Sequence, residues 1–428
     1  MPTPVPAPAA GAPPVSLPFR ARQDARPALS VPPAERSEWL DALRGFALLG
    51  ILVFNMQTFG GYGFRAYLPP AAHFGDALDP LLDFCVHVLV QAKFYSLFSF
   101  LFGLGFALQM RRAQAAGVSG EAVLRRRLGW LLAFGLAHAL LLWFGDILTV
   151  YALLGFCLLA LRRLSQRALL AAALCLLGSP VALYAAFLLA GLDLSMFGAS
   201  STPPSFLLRM LRAIADGGYP DVVQAQAVFY PLGWVRRAVQ FALPRILGMF
   251  LLGVWAARAG LPLVGPAQRK LLRAWLGCGV AIGLPLSVAF ALLGGNQALY
   301  PADLEGLAAV AVSSLGTPLL CLGYVAAFGL YWRRARPGHV LVVAGRTALS
   351  QYLGQSLVCV TLFYGFGFGL FGKLGYATQL LIACTVFLGL ALAAKAWLRV
   401  FAQAPMEALW RRLGQGRDRR AVPAGGAA

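Results

Sequence analysis

The stretch Arg125–Arg163, RRRLGWLLAFGLAHALLLWFGDILTVYALLGFCLLALRR, decides the fold. Two apolar runs, Leu128–Phe144 and Ile147–Leu161, are separated only by Gly145 and Asp146, and each carries its basic cluster at the end away from that pair. Crossing a bilayer takes roughly 20 mostly apolar residues in a helix. The second run is short, so Gly145 and Asp146 make a tight re-entry and the two helices form a hairpin. Both arginine clusters then lie on one side of the membrane, the side where multi-pass proteins concentrate Lys and Arg.

Outward from the hairpin the alternation continues. Arg111 and Arg112 precede it, Arg167 follows, and further clusters stand at Arg258, Arg269, Lys270 and Arg273 and at Arg333, Arg334 and Arg336. The gaps between are nearly free of Lys and Arg, apart from Arg65, Lys373 and the segment Gly191–Arg237. The remaining candidate spans are Trp39–Gly60, Leu82–Leu108, Ala168–Ala190, Val239–Ala257, Leu272–Leu293, Leu304–Tyr331, Leu341–Phe363 and Ala377–Leu398. The expected fold is therefore an all-α polytopic membrane protein of about ten transmembrane helices, with N- and C-termini cytoplasmic.

Residues 1–36 are dense in Pro and Ala and lack the apolar core of a signal peptide, so they read as a disordered cytoplasmic tail. Residues 37–413 form a single transmembrane helical domain, and 414–428 form a disordered basic tail. Within the domain, 191–237 reads as a long outer loop whose amphipathic stretch Phe206–Ile214 lies at the interface as a short helix.

Composition agrees: 59% of the 428 residues are hydrophobic and 12% charged, against about 25% charged in soluble domains. The net charge of +20 would point to nucleic acid in a soluble protein. Here the basic residues border apolar spans and no basic domain stands apart, so the partner is the lipid bilayer and its anionic headgroups. The seven cysteines all lie in apolar runs without a CxxC spacing, as small core residues rather than a disulfide framework or metal site.

Ionisable residues inside spans are expensive and mark function by default. In the first span Asp41, Arg44 and Asn55 lie on one face, Arg44 and Asn55 within about 20° of each other. The plainer reading of Asp41 and Arg44 is a pair that caps the cytoplasmic end. Lys93, with Gln91, Ser96 and Ser99, sits in the second span, and Gly103 and Gly105 after it favour close packing. His138 and Asp146 are about 12 Å apart along a straight helix, and the glycine turn brings them closer. An imidazole beside a carboxylate is a good general base; the plainer reading is an interhelical hydrogen bond. Arg346 opens the ninth span, level with Arg44, where two guanidinium groups suit a phosphate-bearing ligand. Glu407, next to Trp410, Arg411 and Arg412, closes an inner salt-bridge cluster. The outer half thus holds Asn55, Lys93, His138 and Asp146, and the inner half Asp41, Arg44, Arg346 and Glu407.

These residues carry a resemblance. Leu40-Asp41-Ala42-Leu43-Arg44-Gly45-Phe46 with Asn55 resembles the opening signature of the YeiB-like bacterial membrane proteins (domain of unknown function 418). So do Lys93 with Leu97–Gly105, His138 with Gly145-Asp146-Ile147-Leu148 and Tyr151, Gly345–Tyr352 with Gln355-Ser356, and Pro405-Met406-Glu407 with Leu409-Trp410-Arg411. Gln351 stands where the family usually has Asn, and Ala404 where it usually has Gly. The resemblance implies a multi-pass protein of the bacterial inner membrane. Its opening Asp-x-x-Arg-Gly is also distantly similar to multi-pass acyltransferases of the heparan-glucosaminide N-acetyltransferase type. Those take acyl-CoA from the cytoplasm, acylate a sugar on the far side, and use a histidine in the loop after the first helix, where His73 loosely falls.

Two functions follow as expectations. In the first, an acyltransferase moves an acyl group from a cytoplasmic CoA donor to an extracytoplasmic acceptor. Arg44 and Arg346 hold the CoA phosphates, His138 oriented by Asp146 is the base, and Lys93 or Asn55 stabilises the oxyanion. Both ends must then share one continuous cavity. In the second, a transporter or exporter of a small anionic or lipid-like molecule uses the same groups as binding stations, a reading that discontinuous helices would favour. A scaffold without a site, its polar residues serving as glue between helices, is the third.

Overall fold

The computed structural model describes residues 38–68, 77–191, 205–261, 265–295, 303–332 and 338–415. The expected tail 1–36, the residues of the tail beyond 415, and His73 lie outside them.

The regular secondary structure of the described residues is all helical. In order the helices are α1 (Glu38–Phe59), α2 (Asp79–Leu89), α3 (Lys93–Ala115), α4 (Gly120–Leu141), α5 (Leu148–Ala160), α6 (Gln166–Leu189), α7 (Ser205–Asp216) and α8 (Tyr219–Val239). They continue with α9 (Ala242–Arg258), α10 (Pro266–Cys278), α11 (Leu284–Leu292), α12 (Leu304–Tyr331), α13 (Val340–Arg346), α14 (Ala348–Phe363), α15 (Tyr376–Val400) and α16 (Pro405–Gln415). Starts are set by local chemistry. Ser119 Oγ accepts from the Ala122 amide, Ser165 Oγ from Ala168, and an Asp303 carboxylate oxygen from Gly306, each satisfying an orphan first-turn donor.

Six stretches are long and apolar enough to cross a membrane: Glu38–Tyr67, Asp79–Ala115, Gln166–Leu189, Pro266–Leu292, Leu304–Tyr331 and Tyr376–Val400. A seventh is added if α8 and α9, bent by 70°, count as one. The chain is a multi-pass helical membrane protein. The α4–α5 hairpin is not among the six, for reasons visible in its sequence. Arg125, Arg126 and Arg127 lie inside α4, and α5 has only 13 residues.

The segment expected as a long outer loop is instead largely helical. Residues 205–239 are α7 and α8, and α7 covers the amphipathic stretch with Met210, Leu211 and Ile214 buried. The second expected span is broken, with Ala92 in the left-handed region between α2 and α3. Phe241, between α8 and α9, is also left-handed. Residues 279–283 form a π-helical segment between α10 and α11, and Thr347 separates α13 from α14.

Two glycine crossings hold the bundle. A Cβ on Gly103 would strike the Phe250 carbonyl, and one on Gly253 the Phe100 carbonyl, so α3 and α9 touch backbone to backbone. Gly45 meets Leu341 and Gly345 meets Asp41 in the same reciprocal way, joining α1 to α13. Small residues permit such approach in lipid, where van der Waals contact drives helix association. Gly105 faces open space, so the expected packing role belongs to Gly103 alone.

Candidate functional site

The hairpin tip builds the site. Helix α4 ends at Leu141, and the backbone turns so that the Trp143 amide donates to the His138 carbonyl at 2.8 Å. Asp146 then starts α5 by accepting from the Leu148 amide at 3.1 Å and the Thr149 amide at 2.8 Å. The carboxylate oxygen that takes the Leu148 amide also lies 3.0 Å from His138 Nδ1. The turn has therefore brought together two residues that a straight helix would hold far apart. On its other side His138 Nε2 lies 2.9 Å from Ser356 Oγ on α14. All three side chains are buried. With Nδ1 protonated toward the carboxylate, Nε2 is an acceptor for the serine hydroxyl. The Tyr352 carbonyl, 3.2 Å from Ser356 Oγ, is the longer alternative for the same proton.

The result is an acid, an imidazole and a hydroxyl in line, an order able to deprotonate the hydroxyl and stabilise the cation that forms. Arg237 and Tyr352 brace it. Arg237 Nη2 donates to the Asp146 carbonyl at 2.8 Å, and the Ile147 amide donates to the Tyr352 hydroxyl at 3.4 Å.

Beside this relay is a cavity of ≈ 200 Å³. Asp146 and Tyr352 form its wall toward the relay, and Asn55, Arg237 and Gln240 are further polar liners among apolar side chains. Asn55 is thus part of the cavity wall. Lys93 is fully buried on the first turn of α3, and its ammonium donates to the His87 carbonyl at 2.9 Å, across the break after α2. No hydrogen bond joins it to His138 or Asp146 among the described residues.

The inner residues form a separate group. Arg44 donates to Asp41 at 2.7 Å, and the packing of Gly345 on the Asp41 backbone sets the exposed Arg346 at their level. Glu407 departs from the expected salt-bridge cluster. Its carboxylate accepts from the Leu349 and Ser350 amides at 2.7 and 3.1 Å and from Ser350 Oγ at 2.5 Å. The break at Thr347 leaves first-turn donors of α14 exposed, and a carboxylate satisfies them better than water does. Between Arg44 and Asn55 on α1 stand Leu48 and Leu52, each 1% exposed. None of Asp41, Arg44, Arg346 or Glu407 lines the cavity. Leu48 and Leu52, packed in the core, thus stand on α1 between the inner group and the cavity.

Ser356 and Arg237 were not among the residues singled out from the sequence. Ser356 occurs in the quoted Gln355-Ser356 pair, one turn after Tyr352, but a serine in a span is most often bonded to its own helix. Arg237 had a clearer signal: it ends one of the few stretches that break the charge alternation.

The family described as "Protein of unknown function (DUF418)" matches residues 256–417. The uncharacterized protein YxaH of Bacillus subtilis (strain 168) is 32% identical over 404 residues, covering 88% of this chain and 94% of the relative. The uncharacterized protein YeiB of Escherichia coli (strain K12) is 32% identical over 397 residues, covering 89% and 96%. An uncharacterized 39.9 kDa protein from the amylase 3' region of Bacillus acidopullulyticus is 36% identical over 167 residues, 39% of this chain and 45% of that protein. No solved structure shows a significant match. With likeness running nearly end to end in two relatives, the chain belongs to the YeiB-like DUF418 family of bacterial proteins.

Proposed function

We propose that this chain is an acyltransferase of the bacterial inner membrane, with Ser356 as nucleophile, His138 as general base and Asp146 as the group that orients the imidazole. The observation that carries this is the two-sided bonding of one buried histidine, 3.0 Å to a carboxylate and 2.9 Å to a serine hydroxyl. Ser356 Oγ attacks an activated acyl carbonyl and its proton passes to His138 Nε2. The leaving group takes that proton as the tetrahedral adduct collapses. An acceptor hydroxyl or amine then repeats the step on the acyl-serine, returning the proton to Ser356. Asn55, in the wall of the adjoining cavity, is the donor assigned to the developing oxyanion.

The topology belongs to the same proposal. About ten helices cross the membrane with both termini cytoplasmic, and residues 37–413 form one domain. The hairpin is supported as a pair of spans by the exposed Trp130, Leu136, Leu140, Leu141 and Leu153, a face that lipid accepts and water does not. The basic clusters at its far end then set the relay in the outer half. Arg44 and Arg346 take no part in the chemistry as built. A cytoplasmic acyl-CoA donor must pass Leu48 and Leu52, and an acyl thioester or ester entering the cavity reaches Ser356 only if the Asp146–Tyr352 wall opens.

The test is purified protein in detergent with radiolabelled acetyl-CoA and, in parallel, a fluorophosphonate that labels activated serines. Labelling by either reagent that is lost in Ser356→Ala and in His138→Ala, and survives His73→Ala, supports the reading. Labelling that survives Ser356→Ala sinks it. A second reading, transport of a small anionic molecule, is favoured by one separate observation. The helix breaks at Ala92 and Phe241 flank the same cavity, which Ala92, Gln240 and Ala242 line, and interrupted helices frame the sites of many transporters.

A further inference from the structure

The cavity beside the relay is lined by a cation with an unused donor, and two further buried cations lie next to lining residues. Arg237 lines it, and its Nη1 is buried without a hydrogen-bond partner, while Nη2 is occupied by the Asp146 carbonyl. Lys93, fully buried, sits between the lining residues Ala92 and Phe94. Arg245, 6% exposed, lies on the first turn of α9 between the lining residues Ala242 and Ile246. It donates to Ser313 and Ser314 hydroxyls at 2.8 and 3.3 Å, and its Nε is unpartnered. None of these three cations is in an ion pair among the described residues. The one buried carboxylate at the cavity, Asp146, is committed to His138 and to the start of α5. The N-terminal ends of α3 and α9 add two further positive partial charges at the same wall.

Buried polar groups without a partner are costly, and the buried Arg237 Nη1 at this cavity lacks an acceptor, because Asp146, the lining carboxylate, is already committed. The rest of the lining is apolar: Ile51, Phe54, Val90, Phe94, Val150 and Ile246. A fully hydrated inorganic anion fits such walls poorly, whereas a short aliphatic chain fits them well. A cavity of about 150 Å³ takes a molecule the size of benzene, so ≈ 200 Å³ suits a chain of a few carbons. From this geometry we infer that the cavity binds a short-chain carboxylate, its chain against the apolar wall and its carboxylate on Arg237 Nη1. This inference rests on the cavity and its charges and is independent of acyl transfer by Ser356.

The experiment is equilibrium binding by isothermal titration calorimetry on the purified full-length protein in detergent. Butyrate is the probe, with butyramide as its neutral isostere and inorganic phosphate as the competing anion. Saturable butyrate binding is expected, with butyramide weaker by at least about tenfold, roughly one unit of RT ln 10. Arg237→Gln should lower butyrate affinity by a similar factor, and Arg65→Gln, on the exposed outer surface, should leave it unchanged. Equal binding of butyrate and butyramide overturns the inference, and so does Arg237→Gln binding like the parent. Phosphate binding tighter than butyrate assigns an inorganic-anion site and also overturns it. If Arg237→Gln fails to fold, Ile246→Phe fills the cavity without touching the charge, and butyrate binding that persists in it overturns the inference as well. Serine labelling plays no part in the readout, so failure of the acyltransferase reading leaves this result standing.

Discussion

His138 Nε2 and Ser356 Oγ meet at 2.9 Å across 218 residues of sequence. The contact ties the C-terminal end of α4 to the middle of α14, and Asp146 fixes it from the other side. Asp146 therefore has two separable duties. Asp146→Ala removes both the start of α5 and the imidazole partner, and should destabilise the protein by roughly 2–4 kcal/mol. Asp146→Asn keeps an oxygen for the Thr149 amide but turns its NH2 toward Nδ1 and the Leu148 amide, the wrong partner for the imidazole. It should unfold within a few degrees of the parent yet lose about three to four orders of magnitude in any serine acylation rate. Thermal unfolding in detergent beside labelling kinetics separates the two. Equal loss of stability in both variants would show that the carboxylate serves the helix alone.

Glu407 makes a similar prediction at the inner end. Its three acceptor contacts are all at the start of α14. Glu407→Ala should cost about 1–2 kcal/mol, in the range of a lost N-cap. Arg346→Ala, at an exposed side chain, should change stability by less than about 0.5 kcal/mol. If the two variants unfold alike, Glu407 is not the cap. If Arg346→Ala is the worse, the inner guanidinium carries a contact that its exposure conceals.

Gly103 and Gly105 are two residues apart on α3 and should answer substitution oppositely. A Cβ on Gly103 meets the Phe250 backbone, which cannot move without separating α3 from α9. Gly103→Ala should cost about 3 kcal/mol or more. Gly105→Ala enters open space and should be neutral or stabilising by up to about 1 kcal/mol through helix propensity. The measurement is the midpoint of heat unfolding by size exclusion. Destabilisation by Gly105→Ala would place an unseen partner on that face.

Legibility followed the physics of each signal. Six of the spans were readable because a bilayer demands long apolar runs, and α12 spans the same residues, 304–331, that its apolar run covers. The hairpin was readable because Gly145 and Asp146 interrupt an apolar run with one small and one charged residue. The pairing of His138 with Asp146 followed from that turn. The helix breaks were not readable. Ala92 and Phe241 are left-handed without glycine, held there by packing that single-residue propensity does not encode. Beyond the short amphipathic helix at Phe206–Ile214, the segment 191–237 reads as loop because its prolines and charges lower its hydropathy, although Pro220 sits in the first turn of α8, where proline costs little. Ser356 went unassigned because a hydroxyl acquires its role from a partner 218 residues away.

The span count can be tested at two exposed positions. The Tyr219 hydroxyl donates to the Leu141 carbonyl at 2.7 Å, which fixes residue 218 beside the hairpin tip. Val118 lies at the opposite end of α4 and is 44% exposed. If α4 crosses the bilayer, these two positions face different compartments. In a background free of the native cysteines, Gly218→Cys should react with a membrane-impermeant maleimide in intact cells. Val118→Cys should react only after permeabilisation if Arg111, Arg112 and Arg125–Arg127 around it mark the cytoplasmic face, where such clusters concentrate. Gly218 is in an extended conformation that any side chain tolerates, so the substitution itself does not disturb the site. Labelling of both positions from one side would mean that the hairpin dips into the membrane without crossing. The relay would then lie away from the outer surface, and the proposal of an extracytoplasmic acceptor would fall with it.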